Sequence, residues 1–224
     1  MSCQDEYIHN HDHGHDENDH VPPPDTNQIQ TLYPYIDLSN VTARNATKPE
    51  HAARIVRPWE ERLLDDPILT SDVDEELLIV IPFTGMVKLH SILIRSLGDE
   101  SAPEDIVLFK DQPQLDFDKA ASLPPVQKLT NPAGVSAGVS TNETREGIVQ
   151  FAVNRPKFTN IQSLTIYIPS NYGGEQTKLL YIGLRGEFSE LKRAPVIAQY
   201  EAAANPADHK TKATSLDKNS NQLG

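Results

Sequence analysis

The sequence predicts an all-β fold, a β-sandwich or β-barrel, and three observations lead to this prediction. Short apolar runs rich in Val, Ile and Leu recur along the middle of the chain. Groups of Pro, Gly, Asn and Asp separate these runs, as turns separate the strands of a sheet. No stretch has the strong apolar stripe of a long amphipathic helix. Many short strands joined by such turns are typical of sandwiches and barrels.

The strand predictions begin with residues 77–81, a continuous run of Leu, Ile and Val that indicates a strand buried on both faces. We expect Pro82 to end this strand, because proline has no N–H to donate to a sheet. Residues 87–94 mostly alternate between apolar and polar and form the next predicted strand. The other predicted strands are residues 106–109, 147–153, 164–168, 179–184 and 196–200.

Two further segments of the body are predicted to lie outside the sheet. Residues 51–64 are the best helical candidate, but Pro58 interrupts them, so they predict no more than a turn or two of helix. Residues 130–146 have little apolar content and predict a long mobile loop.

The two ends of the chain differ in composition from its body. Residues 1–26 are rich in His and Asp, contain no Lys or Arg, and include three consecutive prolines near their end, in Val21-Pro22-Pro23-Pro24-Asp25. Residues 205–224 are small, polar or charged. Neither segment can bury enough apolar surface to offset the entropy lost on ordering. We therefore expect a disordered tail at 1–26, one domain at 27–204 and a flexible tail at 205–224.

Composition also limits the class of partner and the compartment. The formal net charge is -12 and no basic stripe is present, which argues against nucleic acid. No run of roughly 18 apolar residues is available to span a membrane. Cys3 is the single cysteine, and the first residues are acidic where a secretory signal would be basic. We expect the protein to be located in the cytoplasm and the nucleus. We also expect it to be a monomer.

The usual signatures of catalysis are absent from the sequence. It contains no G-x-S-x-G, no P-loop, no G-x-G-x-x-G and no H-E-x-x-H motif. One cysteine allows neither a C-x-x-C redox pair nor a cysteine-based zinc site. The sequence therefore gives no support to an enzymatic function, and we expect a non-enzymatic protein without a cofactor.

A histidine-rich segment is the one candidate for binding a metal such as zinc. His9, His11, His13 and His15 alternate with other residues, and His20 follows them. Imidazoles in this arrangement can chelate Zn, Ni or Cu ions. The alternative is a flexible acidic tail that binds metal weakly and without function. A second acidic segment, Asp72-Val73-Asp74-Glu75-Glu76, suggests either a calcium site or a solvated entry to the next strand.

Candidate partner-binding residues lie at three places in the body and the C-terminal tail. Trp59, the only tryptophan, is either an exposed anchor for a partner or a side chain that packs a loop against the core. Arg185 lies between Gly183 and Gly186 and is either presented to a partner or held in an internal ion pair. Asp208 and His209 are either ordinary solvated residues or groups that a mobile tail inserts into a partner's cleft, with His209 as a metal ligand in trans.

An ordered series of motifs, covering about residues 28–212, resembles the PITH domain family. The motifs are Pro58-Trp59-Glu60-Glu61-Arg62, Asp74-Glu75-Glu76-Leu77-Leu78, Ile81-Pro82-Phe83-Thr84-Gly85, Phe158-Thr159-Asn160-Ile161, Asn171-Tyr172-Gly173, Tyr181-Ile182-Gly183-Leu184-Arg185-Gly186-Glu187-Phe188, Tyr200-Glu201-Ala202 and Asn205-Pro206-Ala207-Asp208-His209-Lys210. The resemblance implies a jelly-roll β-sandwich similar to galactose-binding domains. It also implies binding to the proteasome.

Two functions therefore remain open at this point. The first is a protein-interaction module that binds and modulates the proteasome, with Trp59, Arg185, Tyr200, Asp208 and His209 as candidate contacts. The second is a small-ligand or carbohydrate-binding module, because related jelly rolls bind sugars in the loops at one end. A sugar site usually needs aromatic and polar groups around a concave mouth, and aromatic residues make up only 6% of this chain.

Overall fold

The computed structural model describes residues 30–135 and 147–190, and antiparallel strands dominate both ranges. In chain order the described strands are β1 (Thr42–Arg44), β2 (Leu69–Thr70), β3 (Leu77–Ser96), β4 (Pro103–Lys110), β5 (Gln127–Thr130), β6 (Ile148–Ala152), β7 (Ile161–Asn171) and β8 (Lys178–Ser189). The helices are α1 (His51–Ile55) and α2 (Phe117–Ser122), with short 3-10 turns at Tyr33–Tyr35, Leu38–Asn40 and Trp59–Glu61.

Strand β3 is the longest described element and belongs to both layers of the sandwich. Its first part pairs with β1 on one side and with β7 on the other, and β7 continues to β4 and β5. Its second part pairs with β6 and β8, and β8 continues to β2. The first set of strands is called layer one below and the second set layer two.

The prediction that Pro82 ends a strand is wrong. Pro82 lies inside β3, opposite Ser163 of β7, and the register shifts between Pro82 and Val87. Proline is tolerated at such an irregularity because the ladder is already interrupted there. The carbonyl oxygen of Pro82 still accepts a hydrogen bond of 2.9 Å from the backbone N–H of Asp37.

Alternation along β3 explains how one strand serves two layers. Leu77, Ile79 and Ile81 enter the main core, which also receives Ile92 and Ile94 from the second part of the strand. The side chains that alternate with these core residues along β3 face outward. In layer one the outward-facing side chains pack under the segment around α2. In layer two, Leu93 packs with Ile148, Tyr181 and Trp59. The core therefore lies between the layers.

A β-bulge at His90 sets which side chains of β3 face outward in layer two. Leu89 pairs with Gly186 and Ser91 pairs with the adjacent Arg185, so His90 is an extra residue in the ladder. An extra residue reverses the alternation of a strand. As a result Leu89 and Ile92 both face the core, and Ser91 lies on the outer face together with Arg185.

The free edge of β8 is covered by short segments from three parts of the chain. β2 pairs with its start, Val56 forms a parallel bridge with Ile182, and Thr31 forms an antiparallel bridge with Arg185. Covering an edge in this way protects a sheet from pairing with other chains.

Among the described residues, no helix has the length and apolar character that crossing a membrane requires.

Most predicted strands are confirmed, although their bounds differ. Residues 106–109, 147–153, 164–168 and 179–184 correspond to β4, β6, β7 and β8. The predicted helix at 51–64 is limited to α1 and the turn at Trp59–Glu61, as the proline indicated. The short elements β1, β2, β5 and α2 were not predicted. The loop predicted at 130–146 is packed at its start, where Asn131 and Val135 are buried, and residues 136–146 and 196–200 lie outside the described residues.

Candidate partner-binding surface

The segment of residues 57–67, called the Trp59 loop here, lies on the outer face of layer two. The Trp59 side chain packs against Leu93 of β3, Ile148 of β6 and Tyr181 of β8. These three side chains are almost fully buried, and Trp59 itself is half-buried. The loop is thus fixed by an aromatic side chain that contacts three strands at once.

Two arginines contact the ring of Trp59. The guanidinium carbon of Arg62 lies 4.1 Å from the ring centroid, and that of Arg185 lies 4.7 Å from it. Arg185 Nη1 also donates a hydrogen bond of 2.8 Å to Gln150 Oε1, and Gln150 Nε2 donates to Ser91 Oγ at 3.1 Å. Arg185 is only 5% exposed. Burial is the main cause that lowers the pKa of its guanidinium, and the charge of Arg62 acts in the same direction.

Buried arginines also bind the backbone of the Trp59 loop. Arg57 Nη1 donates to the loop carbonyl oxygen of Asp66 at 3.2 Å, and its Nη2 donates to the carbonyl oxygen of Leu180 at 2.8 Å, which ties the loop to β8. Arg95 pairs with the carboxylate of Asp65 at 2.6 Å and donates to the carbonyl oxygen of Leu64 at 3.3 Å. Loop carbonyls have no strand partner of their own, so these donors satisfy them and fix the path of the loop.

The tip of the loop presents two leucines to solvent. Leu63 is 44% exposed and Leu64 is 50% exposed. The exposed acidic residues Glu60 and Glu61 precede them, and Asp65 and Asp66 follow them. Our sequence reasoning missed both leucines. The available signal was a pair of adjacent leucines between two pairs of acids, in a segment without the period of a helix or a strand.

An open cleft lies at the end of the sandwich where β3 passes to β4 and β7 passes to β8. Its volume is about 550 Å³, and it is lined by residues 99–101 and 174–176 together with Lys178. No aromatic residue is among those lining residues. The cleft therefore lacks the ring platform expected of a sugar site.

The acidic segment at residues 72–76 is held by internal hydrogen bonds. Asp74 Oδ1 accepts from Asn45 Nδ2 at 2.6 Å, and Glu76 Oε1 accepts from the hydroxyl of Tyr167 at 2.8 Å. In the two described ranges, no group of three or more His, Cys, Asp or Glu side chains is placed to hold a metal ion. These contacts favour the reading of the segment as the entry to β3.

His90, the bulge residue of β3, lies beside the start of the described chain. Its Nε2 is 3.2 Å from Glu187 Oε1, and its Nδ1 is 3.3 Å from Gln30 Oε1. The His90 side chain is almost fully buried. Burial is the main cause that lowers the pKa of His90 from its ordinary value of 6.5; Arg155 and Lys88 lower it further, and Glu187 opposes them.

Comparison with known proteins agrees with the motifs in the sequence. The family model of the PITH domain matches residues 22–204. The chain belongs to the PITH domain family. Among its relatives, human PITH domain-containing protein 1 is 39% identical over 190 residues, which are 84% of this chain and 85% of the relative. PITH domain-containing protein CG6153 of Drosophila melanogaster is 37% identical over 210 residues, 92% of this chain and 94% of the relative.

The fold of this PITH domain is also found in a distant solved structure. The CBM32-1 and CBM32-2 domains of Clostridium perfringens ZmpB match with a TM-score of 0.52 and 10% identity, over 73% of this chain and 38% of that chain. At this identity the match shows the fold alone. It confirms the predicted fold class, a jelly-roll β-sandwich similar to galactose-binding domains.

The structure brings together two of the residues predicted to bind a partner in this PITH domain. Trp59 and Arg185 are in contact. Of the two alternatives that the sequence left open for Trp59, an exposed anchor or a side chain that packs a loop, the structure shows the side chain packing its loop against the sheet. Arg185 is neither exposed nor part of an ion pair among the described residues; its contacts are the Trp59 ring and the Gln150 amide. The other predicted residues lie outside the described residues: Tyr200, Asp208 and His209, and the metal candidates His9, His11, His13 and His15.

Proposed function

We propose that this PITH domain is a non-enzymatic interaction module that binds the proteasome through the Trp59 loop and modulates it. The observation that carries the proposal is the exposure of Leu63 and Leu64 on a loop whose backbone is held by buried arginines. The choice of partner comes from the family resemblance, since the PITH domain is named as the proteasome-interacting part of a thioredoxin-like protein.

A fixed loop is suited to binding because it loses little freedom when the partner docks. Ordering a flexible segment costs free energy that weakens an interface, whereas a loop already held in place avoids this cost. Burial of apolar surface is the main favourable term in most protein–protein association, and the centre of an interface is its most apolar part. In this arrangement Trp59 and Arg185 support the loop from below, and Leu63 and Leu64 contact the proteasome.

The C-terminal tail supplies a second set of contacts in this proposal. Tyr200, Asp208 and His209 lie in or near the tail, and a segment that orders on binding can reach a cleft beyond the main interface. A monomer that binds the proteasome would be found where that partner is, in the cytoplasm and the nucleus.

The test is affinity purification of the tagged full-length protein from its own cells, with quantitative mass spectrometry of the proteins that co-purify. We expect proteasome subunits with the wild-type chain and a loss of about tenfold or more with Leu63→Ala/Leu64→Ala. The matched control is Leu97→Ala/Leu123→Ala, which removes two leucines of 37% and 40% exposure elsewhere on the surface. Equal losses with both double variants, or no proteasome with the wild type, would contradict the proposal.

A second arm of the same experiment tests the tail. A variant that ends at residue 205 removes Asp208 and His209 but keeps the Trp59 loop. We expect it to recover less proteasome than the full-length chain and more than the leucine variant. Recovery equal to that of the full-length chain would limit the interface to the loop.

Binding of a small ligand or carbohydrate is the second candidate function, and the open cleft at residues 99–101 and 174–178 is the observation that favours it. Its lining is polar, with Lys178 and the carboxylates of Asp99, Glu100 and Glu175. A screen of thermal shifts with monosaccharides tests this function. A shift that Lys178→Ala abolishes would place the ligand-binding function first.

A further inference from the structure

The four carboxylates of the Trp59 loop have different roles. Asp65 pairs with the buried Arg95. The carboxylates of Glu60, Glu61 and Asp66 are exposed and make no hydrogen bond or ion pair among the described residues, while Asp65 serves the loop itself. Burial lowers the pKa of the Arg57 guanidinium, and the charges of Glu61 and Asp66 raise it against this effect.

In sequence, the three exposed carboxylates that make no hydrogen bond or ion pair lie on both sides of the two exposed leucines of the loop. Glu60 and Glu61 come before Leu63 and Leu64, and Asp66 comes after them. An apolar centre with a polar border is the common arrangement of a protein interface, in which the border charges select the partner. An anionic partner, such as a phosphate backbone, would be repelled by this border.

The buried arginines do not remove these charges from the surface. Arg57 and Arg95 direct their donors at loop carbonyls and at Asp65, and Arg185 is directed at Gln150 and the Trp59 ring. All three are about 5% exposed. Arg62, the other arginine at this site, is half-buried and lies 4.1 Å from the centroid of the Trp59 ring. A partner that docks on the tip of the loop therefore meets leucine and carboxylate groups together with the partly exposed side chain of Arg62.

From this arrangement we infer that the surface which receives the Trp59 loop is an apolar groove bordered by lysine or arginine side chains. Leu63 and Leu64 enter the groove, and Glu60, Glu61 and Asp66 pair with the basic border. This inference rests on the proposed function, because it describes the proteasome surface that the loop would contact.

The experiment measures the dissociation constant of the full-length chain for purified proteasome at several salt concentrations, from about 50 to about 300 mM. The border variant is Glu60→Gln/Glu61→Gln/Asp66→Asn, which keeps the size of each side chain and removes its charge. The control is Asp72→Asn/Glu50→Gln/Glu190→Gln, which removes three exposed charges outside the Trp59 loop. The net charge thus changes equally in the two variants.

We expect the border variant to bind about three- to tenfold more weakly than the wild type at low salt, and the difference to shrink as salt screens the charges. The control variant should stay within about twofold of the wild type. Leu63→Ala/Leu64→Ala should weaken binding by about tenfold or more at every salt concentration.

Three results would overturn the inference, and they differ in what they mean for the proposed function. A border variant that binds like the wild type, or more tightly, while the leucine variant loses affinity, would refute the basic border and leave the proposed function intact. Equal effects of the border and control variants would assign the effect to net charge. A wild-type chain that does not bind proteasome at any salt concentration would refute both.

Discussion

The guanidinium carbon of Arg185 lies 4.7 Å from the centroid of the Trp59 ring, and this contact joins the Trp59 loop to strand β8. The same side chain donates to Gln150 of β6, which in turn donates to Ser91 of β3. One buried cation thus connects the loop with three strands. Because Trp59 is the only tryptophan, its fluorescence reports on this contact directly.

Replacing Arg185 with alanine should destabilise the fold and expose Trp59. The variant loses a desolvated cation–π contact and a charge-assisted hydrogen bond, and it leaves Gln150 Oε1 without its donor. These losses amount to about 3 kcal/mol of the free energy of unfolding. Urea unfolding measures this change, and the emission of Trp59 should shift to longer wavelength as water reaches the ring.

Arg44→Ala is the control for that experiment. Arg44 lies on β1 and donates a hydrogen bond of 2.7 Å to the backbone carbonyl oxygen of Leu115; it is exposed and lies outside the Trp59 loop. We expect a loss of about 1 kcal/mol and unchanged fluorescence. A similar loss for both variants, without a fluorescence shift for Arg185→Ala, would show that the contact does not support the loop.

The two glycines beside Arg185 should differ in their tolerance of a methyl group. A Cβ atom on Gly186 would meet the backbone carbonyl oxygen of Lys88 and would lie 3.1 Å from the Cα of Leu89, at the bulge of β3. A Cβ atom on Gly183 would meet the buried ring of Tyr181, which can adjust by a small rotation of its side chain, whereas the backbone of Lys88 is held in the ladder between β3 and β8. Gly186→Ala should therefore cost about 2–3 kcal/mol and Gly183→Ala about 1 kcal/mol. Urea unfolding of the two variants decides, and equal costs would contradict this account.

Stability should decrease as the pH falls below about 6.5 because of His90. Burial first, and then the charges of Arg155 and Lys88, lower the pKa of His90 below its ordinary value of 6.5 in the folded protein. The unfolded chain therefore binds the proton more readily than the folded one. The folded state keeps its full stability above about pH 6.5, the ordinary pKa of histidine, and loses part of it as the pH falls toward the lowered pKa of His90.

His90→Gln tests this dependence, because glutamine keeps a side-chain donor and acceptor but does not titrate. The midpoint of urea unfolding should fall between about pH 7.5 and about pH 5.5 in the wild type and change less in the variant. His51→Gln is the matched control: His51 is half-buried and its Nδ1 lies 2.7 Å from the carbonyl oxygen of Ile68. In His51→Gln the midpoint of urea unfolding should fall with decreasing pH as it does in the wild type. If the midpoint falls by the same amount in His90→Gln, the pH dependence comes from other groups.

Local patterns predicted the strands but not how one strand serves two layers. The apolar runs at residues 77–81 and 87–94 both lie in β3, and the register shift that lets Pro82 sit inside a strand depends on β7. The bulge at His90 likewise depends on pairing with β8. Register shifts are properties of a pair of strands, so no single segment encodes them in a readable form.

The candidate surface was predictable in one part and not in another. The sequence singled out Trp59 and Arg185 by residue type and by neighbouring glycines, and the structure places the two in contact. It left open whether Arg185 would be presented to a partner or internal, and it gave no reason to expect that Leu63 and Leu64 would be exposed. Exposure depends on which segment covers a side chain, and for Arg185 that segment is far away in the sequence.

The sequence by itself determined the β class and the family, because turn residues, apolar alternation and ordered motifs are local features. Only the tertiary structure decided which residues form the candidate partner-binding surface. Arg95 of β3 and Arg57 of the loop itself donate to loop carbonyls, and Arg185 of β8 contacts the Trp59 ring. Leu63 and Leu64 remain exposed on this loop. The physical reason is that burial and hydrogen-bond partners follow from distant segments meeting in space, which a linear pattern does not record.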